Sequence, residues 1–216
     1  MGNLKEKILA KVFRDTVSGW THVGGAILAI IGTVFLAITG NSAGIIAAYI
    51  IFGISMILLF SMSGTYHLVT RESVYKAFRK VDHAMIFVLI AGTYTPMIVQ
   101  VFDGSFRMWY MIGIWGVALG GVILKLFFVG KFRKLSTLLY VAMGWACIFS
   151  IGPVAKALGT GGTILLMLGG LFYTVGAVFY ALKWPGKSKV FGFHEWFHIL
   201  ILLGAMSMYF MMYFYL

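Results

Sequence analysis

Seven apolar runs, each about 20 residues long, occupy most of this 216-residue chain and limit what it can fold into. A helix of that length crosses the roughly 30 Å hydrocarbon core of a bilayer. Turn-forming residues such as Gly40-Asn41-Ser42, Asp103-Gly104, Pro153 and Trp184-Pro185-Gly186 separate the runs. They predict membrane-spanning helices at about 18–39, 44–69, 82–101, 107–129, 135–153, 161–182 and 192–215.

The composition supports the same class of protein. Hydrophobic residues make up 61% of the chain and charged residues only 11%, whereas a soluble domain carries about a quarter charged residues. Glycine pairs such as Gly24-Gly25 and Gly169-Gly170 suit the close packing of helices in lipid. We therefore expect an all-α integral membrane protein, with one seven-helix bundle over residues 1–216.

The basic residues predict how this bundle is oriented. Of the 17 lysines and arginines, only Arg107 and Lys156 fall on one side of the predicted topology. The others fall on the opposite side: Lys5, Lys7, Lys11, Arg14, Arg71, Lys76, Arg79, Lys80, Lys125, Lys131, Arg133, Lys134, Lys183, Lys187 and Lys189. Positive charge marks the cytoplasmic side. We expect a multi-pass protein of the cell (plasma or inner) membrane, with the N-terminus in the cytoplasm and the C-terminus outside.

The net charge of +11 does not indicate a nucleic-acid-binding protein. A nucleic-acid interface gathers its basic residues on one face or along one helix. Here they form short clusters between apolar runs, which is typical of residues that set membrane orientation. We expect no nucleic-acid partner.

All five histidines lie near the predicted cytoplasmic helix ends. His194 and His198, at the start of the seventh helix, are four residues apart and share one helix face. This spacing allows both imidazoles to bind one metal ion. His67, at the end of the second helix, is the third ligand we expect. Three histidines with an open fourth position are typical of a catalytic zinc site, so the pattern predicts Zn²⁺.

Two further polar residues lie at the depth of these histidines. Asp82 begins the predicted third helix, and Ser63 shares a helix face with His67. Zinc lowers the pKa of its bound water to about 7, and Asp82 would bind that water as general base and then general acid. Ser63 would polarise a substrate carbonyl or hold the water. Glu195 points about 100° away from His194, so we expect it to support the ligands from behind.

The segment His194-Glu195-Trp196-Phe197-His198 also matches the H-E-x-x-H pattern of metalloproteases. A protease of that kind with its third ligand downstream needs a His, Asp or Glu there, and residues 199–216 contain none. An intramembrane protease would use an aspartate near an Asp-Gly turn. Asp103-Gly104 has that form, but the predicted topology places it across the membrane. We interpret the segment as two ligands of a three-histidine site.

The order and common depth of these motifs resemble the hemolysin III family. Its members are bacterial relatives of the progestin and adipoQ receptors, which include the adiponectin receptors and are distantly similar to alkaline ceramidases. The resemblance covers essentially the whole chain and implies seven helices in the same orientation. It also implies that His67, His194 and His198 bind zinc, with Asp82 and Ser63 beside the zinc-bound water.

The resemblance extends to a first motif, where the family usually has a glutamate, an asparagine and a histidine. Asp15, Ser18 and His22 take those places here, so two of the three are replaced by shorter polar residues. His22 alone, or His83 at the start of the third helix, is also typical of a hydrogen-bonded residue near the membrane interface. We expect all four, like Glu195, to surround the ligands rather than bind the metal.

Three functions remain open from the sequence. The first is a zinc-dependent hydrolase of a lipid amide or ester, as the similarity to ceramidases implies, with a membrane lipid as substrate or ligand. The second is a non-enzymatic membrane-homeostasis or sensing protein whose zinc is structural or regulatory. The third is a pore-forming haemolysin that causes cytolysis. The third has less support, because no helix shows a polar stripe through the full bilayer depth.

Overall fold

The computed structural model describes residues 2–69, 71–128, 133–186 and 191–216, apart from the side chains of residues 2–15, 72–73 and 133–134. Across these ranges the regular structure is helical and contains no strand. Six described segments are long and apolar enough to cross a bilayer, which confirms the all-helical membrane class. The α-helices are α1 (Gly2–Thr39), α2 (Ala43–Leu68), α3 (Glu72–Val101), α4 (Gly104–Phe127), α5 (Arg133–Trp145), α6 (Ile151–Leu182) and α7 (Phe193–Tyr215).

The outer face of α1 shows why this bundle needs lipid around it. Leu28, Val34 and Ile38 are 60–73% exposed, while Leu36 on the opposite face is fully buried. A surface helix of a soluble protein presents polar residues outward. Because the exposed stripe is apolar here, its natural neighbours are lipid chains.

Helix α3 begins at Glu72, ten residues before the predicted start at 82. Residues 72–81 contain neither glycine nor proline, so nothing interrupts the helix between the polar loop and the apolar run. Asp82 and His83 consequently lie about three turns inside α3. Their side chains face the interior of the bundle, where both line a cavity.

The predicted break at Pro153 is wrong, because α6 continues through it. Pro153 is the third residue of α6, where a missing N–H costs nothing, since the first N–H groups of a helix have no partner within it. The backbone instead leaves the helical conformation at Gly159, with φ 62° and ψ −173°. Glycine adopts such positive φ values readily because it has no Cβ.

Contacts made before and after Gly159 show that the chain reverses its direction there. Tyr140 donates to the backbone carbonyl of His83 (2.8 Å), and Ser150 further along contacts Tyr110 of α4 (3.2 Å). After the break, Gly161 lies against Tyr215 at the end of α7. Tyr180 near the end of α6 packs beside His194, with ring centroids 6.0 Å apart. The chain thus passes from the His83 end of the bundle to the far end and back.

A tyrosine from α3 supports the irregular backbone between α5 and α6, where residues Ala146–Ser150 form a 3₁₀ helix. The Tyr94 hydroxyl donates to the carbonyl of Met143 (2.8 Å) and accepts the N–H of Cys147 (2.8 Å). Unpaired backbone groups are costly in lipid. Tyr94 therefore stabilises the irregular backbone between α5 and α6 and fixes one wall of the interior cavity.

Close packing of α1 on α2 generates the first prediction. A Cβ added at Gly53 would lie 2.6 Å from Thr33 Cβ, and Thr33 is a β-branched residue with few alternative rotamers. We expect Gly53→Ala to destabilise the protein by about 1–3 kcal/mol, as overpacking does. Thermal unfolding in detergent should show a lower Tm.

Gly44→Ala is the matched control, because nothing lies within 4 Å of a Cβ added there on the same helix. Its Tm should stay the same or rise, since alanine favours helix over glycine by about 1 kcal/mol. Equal Tm values for the two variants would contradict the close packing at Gly53.

Candidate metal centre

The candidate centre lies where α1, α2, α3 and α7 meet. His67 is in the last turn of α2, and His194 and His198 are in the first two turns of α7. Helix α1 runs beside α7 in the same direction, because Ser18 contacts Glu195 and Gly25 further along contacts Leu202.

Three imidazole nitrogens converge there within one coordination sphere. The Nε2 atom of His194 is 3.2 Å from Nε2 of His67 and 3.2 Å from Nε2 of His198. The ligand atoms of the three residues lie within 4.8 Å of one another. Tetrahedral zinc, with Zn–N bonds of about 2.0–2.1 Å, separates its ligand atoms by about 3.3 Å. The three histidines therefore fit a metal ion, as the spacing predicted for this group.

Hydrogen bonds among the three imidazoles leave their converging nitrogens poorly paired. Each imidazole nitrogen carries either one proton or one in-plane lone pair. His194 Nε2 has two close neighbours, so it can pair well with only one of them. A single cation between the three nitrogens uses every lone pair at once. The donor set is also one that zinc prefers, because imidazole nitrogen is among its usual ligands.

Asp82 and Ser63 face the same interior cavity as His194 and His198. Both are buried, and the Ser63 side chain lies beside the Asp82 carboxylate. The cavity measures about 190 Å³. An ionisable side chain inside a membrane protein is expensive to maintain and commonly functional. Asp82 thus lies beside the histidine triad without being one of its three members.

Glu195 joins α1 to the start of α7. Its carboxylate accepts the N–H of Gly192 (2.7 Å) and the hydroxyl of Ser18 (3.3 Å). Both carboxylate oxygens are therefore engaged in holding the helix start. Asp15, predicted to lie on the same stripe as Ser18, has its side chain outside the described part of the chain.

His22 packs against a metal-ligand candidate rather than joining the triad. Its ring lies 4.0 Å from the ring of His198, centroid to centroid, at an interplanar angle of 32°. Neither ring nitrogen of His22 has a hydrogen-bond partner among the described residues. His83 lines the cavity and accepts the Tyr140 hydroxyl through its backbone carbonyl. His22 thus contacts the triad, while His83 lines the same cavity as His194 and His198.

Lys125 is, with Arg79, one of two charged cavity residues for which the sequence predicts only a role in membrane orientation. Its position near the end of an apolar run is the reason for that interpretation. The structure buries it to 8% exposure and places it in the cavity wall. A signal was present, since Lys125 falls inside the predicted span 107–129 rather than in the loop after it.

Known proteins match nearly the whole length of this chain. A sequence model of the family described as "Haemolysin-III related" matches residues 10–209. The "Hemolysin-3 homolog" of Bacillus subtilis (strain 168) is 38% identical over 198 residues, which cover 90% of this chain and 91% of the relative. "Hemolysin-3" of Bacillus cereus is 38% identical over 207 residues, 94% of this chain and 92% of the relative.

A plant protein is also similar. "Heptahelical transmembrane protein 1" of Arabidopsis thaliana is 28% identical over 227 aligned residues, which cover 90% of this chain and 67% of the relative. Similarity at this distance spans nearly all the described helices. It therefore concerns the architecture as a whole rather than one short motif.

The triad generates the second prediction. Purified protein should contain about one divalent metal ion per chain, because three convergent imidazoles match one ion's coordination sphere. His67→Ala and His198→Ala should each lose the ion on dialysis against a chelator, with metal content measured by mass spectrometry. His83→Ala is the control and should retain it, since His83 is not one of the three. Wild-type protein without stoichiometric metal would refute the site.

Proposed function

Since this chain belongs to the haemolysin-III related family, as its motifs predicted, we propose that it crosses the membrane seven times. In this proposed topology the N-terminus is cytoplasmic and the C-terminus is outside. The reversal of contacts at Gly159 supports two crossings within residues 135–182, which span 48 residues. As one straight helix that segment would measure roughly 70 Å, far longer than a bilayer core. The name of the Arabidopsis relative also states seven helices.

Residue 156 provides a direct test of this topology. In a Cys147→Ser background, Lys156→Cys should react with a membrane-impermeant maleimide on intact cells, because the seven-crossing arrangement puts it outside. Lys183→Cys, also exposed, is the matched control and should react only after permeabilisation. Labelling is measured by gel shift. Protection of Lys156→Cys in intact cells, or reaction of Lys183→Cys in them, would contradict the proposed topology.

The proposed activity is zinc-dependent hydrolysis of a lipid amide or ester. One observation supports it most directly: three imidazole nitrogens converge, and His194 and His198 line an interior cavity together with the buried Asp82. Beyond this polar end the cavity wall is largely apolar, with residues such as Ile86, Leu89 and Met208. Such a cavity suits an amphiphile whose polar group meets the histidines and whose hydrocarbon chain lies deeper.

Each residue has a defined part in this proposal. His67, His194 and His198 hold the ion, and zinc so bound supplies a nucleophile at neutral pH and polarises a carbonyl. The Asp82 carboxylate accepts a proton from water and returns it to the leaving amine or alcohol. Ser63, beside Asp82, orients its carboxylate. The apolar wall binds the acyl chain and excludes bulk water.

A substitution at Asp82 distinguishes hydrolysis from metal binding without catalysis. With zinc-loaded protein and a ceramide-like amide in lipid nanodiscs, wild type should release fatty acid. Asp82→Asn should lower the rate by roughly 10²–10⁴-fold, the usual contribution of a general acid–base, while keeping its zinc. Fatty acid release is measured by mass spectrometry. Asp103→Asn is the matched control, because Asp103 lies beside Arg107 at the other end of the bundle, and its rate should equal wild type.

Two outcomes would favour other functions. Zinc-loaded wild type that releases no fatty acid from any lipid class would favour a structural or regulatory metal in a sensing or homeostasis protein. The Bacillus relatives carry the name hemolysin. Dye leakage from liposomes, unchanged in His67→Ala, would accordingly favour membrane permeabilisation over hydrolysis.

A further inference from the structure

His67 lies at the end of α2, where a helix holds its own residues least firmly. It is in the last turn of α2 and is partly exposed. The last carbonyl groups of a helix have no partner within it, and helix ends fray. Glu195 secures the start of α7, which supplies the other two histidines of the triad. His67 stays in place only if the end of α2 is also held.

A pair of tyrosines joins the end of α2 to the start of α3. The hydroxyl oxygens of Tyr66 and Tyr75 lie 2.9 Å apart and share a hydrogen bond. Their rings also pack together, with centroids 4.8 Å apart at an interplanar angle of 35°. Tyr66 lies two residues before the last residue of α2, and Tyr75 is the fourth residue of α3. We refer to Tyr66 and Tyr75 as the tyrosine clamp.

The tyrosine clamp reaches the triad through the ring of Tyr66. The edge of one ring meets the other where Tyr66 packs on His67, with centroids 4.6 Å apart at an interplanar angle of 62°. The same imidazole lies 5.0 Å from the ring of His194 and 4.8 Å from the ring of His198, centroid to centroid. Because the hydroxyl of Tyr66 is held by Tyr75, the Tyr66 ring cannot turn away from His67 without breaking that hydrogen bond. The imidazole is thus bounded by a side chain that is itself fixed.

Tyr75 relates the tyrosine clamp to the acid of the cavity. Tyr75 and Asp82 are seven residues apart on α3, so they lie on one face of the helix, two turns apart. A hydrogen bond from Tyr66 to this face therefore connects the end of α2 with the helix face that carries Asp82. The tyrosine clamp holds His67 in place relative to α3 as well as to α7.

We propose that Tyr66 and Tyr75 are positioning residues of the metal centre, which hold the His67 imidazole in the orientation that binds the ion. This inference rests on the metal centre of the proposed function and adds two residues to it. Neither tyrosine lines the cavity, so neither is a catalytic residue. Substitution of the residues that support metal ligands typically lowers metal affinity by about 10–100-fold. Loss of the hydroxyl–hydroxyl bond should therefore weaken zinc binding.

Zinc affinity tests this proposal without a catalytic assay. Tyr66→Phe and Tyr75→Phe each remove one hydroxyl and keep the ring, so the hydrogen bond is lost while the ring packing is preserved. Affinity is measured on purified protein in detergent, by competition with a zinc-binding dye. We expect each variant to bind zinc about tenfold more weakly than wild type. The double variant should be no weaker than either single variant, because both substitutions remove the same bond.

Tyr49→Phe is the matched control. The Tyr49 hydroxyl accepts a hydrogen bond from Gln100 Nε2 (3.0 Å). That bond also joins α2 to α3, but it lies near the start of α2 and the end of α3, away from the triad. Tyr49→Phe should therefore lower the Tm and leave zinc affinity unchanged. Thermal unfolding establishes that each variant is folded, and if Tyr66→Phe is not, Tyr75→Phe replaces it in the comparison.

Each outcome either supports or overturns the tyrosine clamp. Zinc affinities of Tyr66→Phe and Tyr75→Phe equal to that of wild type overturn it and leave the proposed hydrolase function intact. An equal loss of affinity in Tyr49→Phe also overturns it, because general loosening of α2 on α3 is then the cause. Wild type that binds no zinc overturns the tyrosine clamp together with the proposed function. A loss of affinity confined to the Tyr66 and Tyr75 variants supports the tyrosine clamp, even if no lipid is hydrolysed.

Discussion

The candidate metal centre depends on how closely α1, α2 and α7 approach one another. A Cβ at Gly19 would lie 2.6 Å from the Leu68 side chain, and one at Gly25 would lie 2.6 Å from Leu202. These glycines allow near contact between helix backbones, which is the usual means of tight association in lipid. Because the helices are so close, imidazoles from α2 and α7 reach one another directly. A larger residue at either glycine would spread the nitrogens that must share one ion.

Hydrogen bonds and ring contacts join α1 to α7 at the same end of the bundle. Glu195 accepts from both α1 and the residue before α7. His198 is enclosed on two sides, by the ring of His22 at 4.0 Å and the ring of His194 at 4.7 Å, centroid to centroid. Such enclosure restricts the rotamer of a ligand before any ion binds. Ser18, His22, Glu195 and the triad therefore form one packed unit.

The sequence was sufficient to predict the helical membrane class and the residues of the triad. Apolar runs of membrane length and the four-residue spacing of His194 and His198 are local signals, so they do not depend on tertiary structure. The break at Gly159 falls between the predicted spans 135–153 and 161–182, but Pro153 does not cause it, because Pro153 sits where a helix tolerates it. The inward position of Lys125 was missed because charge bias assigns side chains to a membrane side and not to a face of the helix.

In the proposed hydrolase, the polarity of the cavity limits which bond of a lipid the site can reach. His194, His198 and Lys125 line the cavity from the ends of their helices, while Thr174 and Met208 line it closer to the middle of theirs. A hydrocarbon chain gains about 0.8 kcal/mol for each methylene it buries. The apolar part of the cavity wall therefore determines where the hydrocarbon chain of a bound lipid lies. The bond presented to the triad is then the one that joins the hydrocarbon to its headgroup. An arrangement of this kind discriminates among lipids by the headgroup and only weakly by the chain.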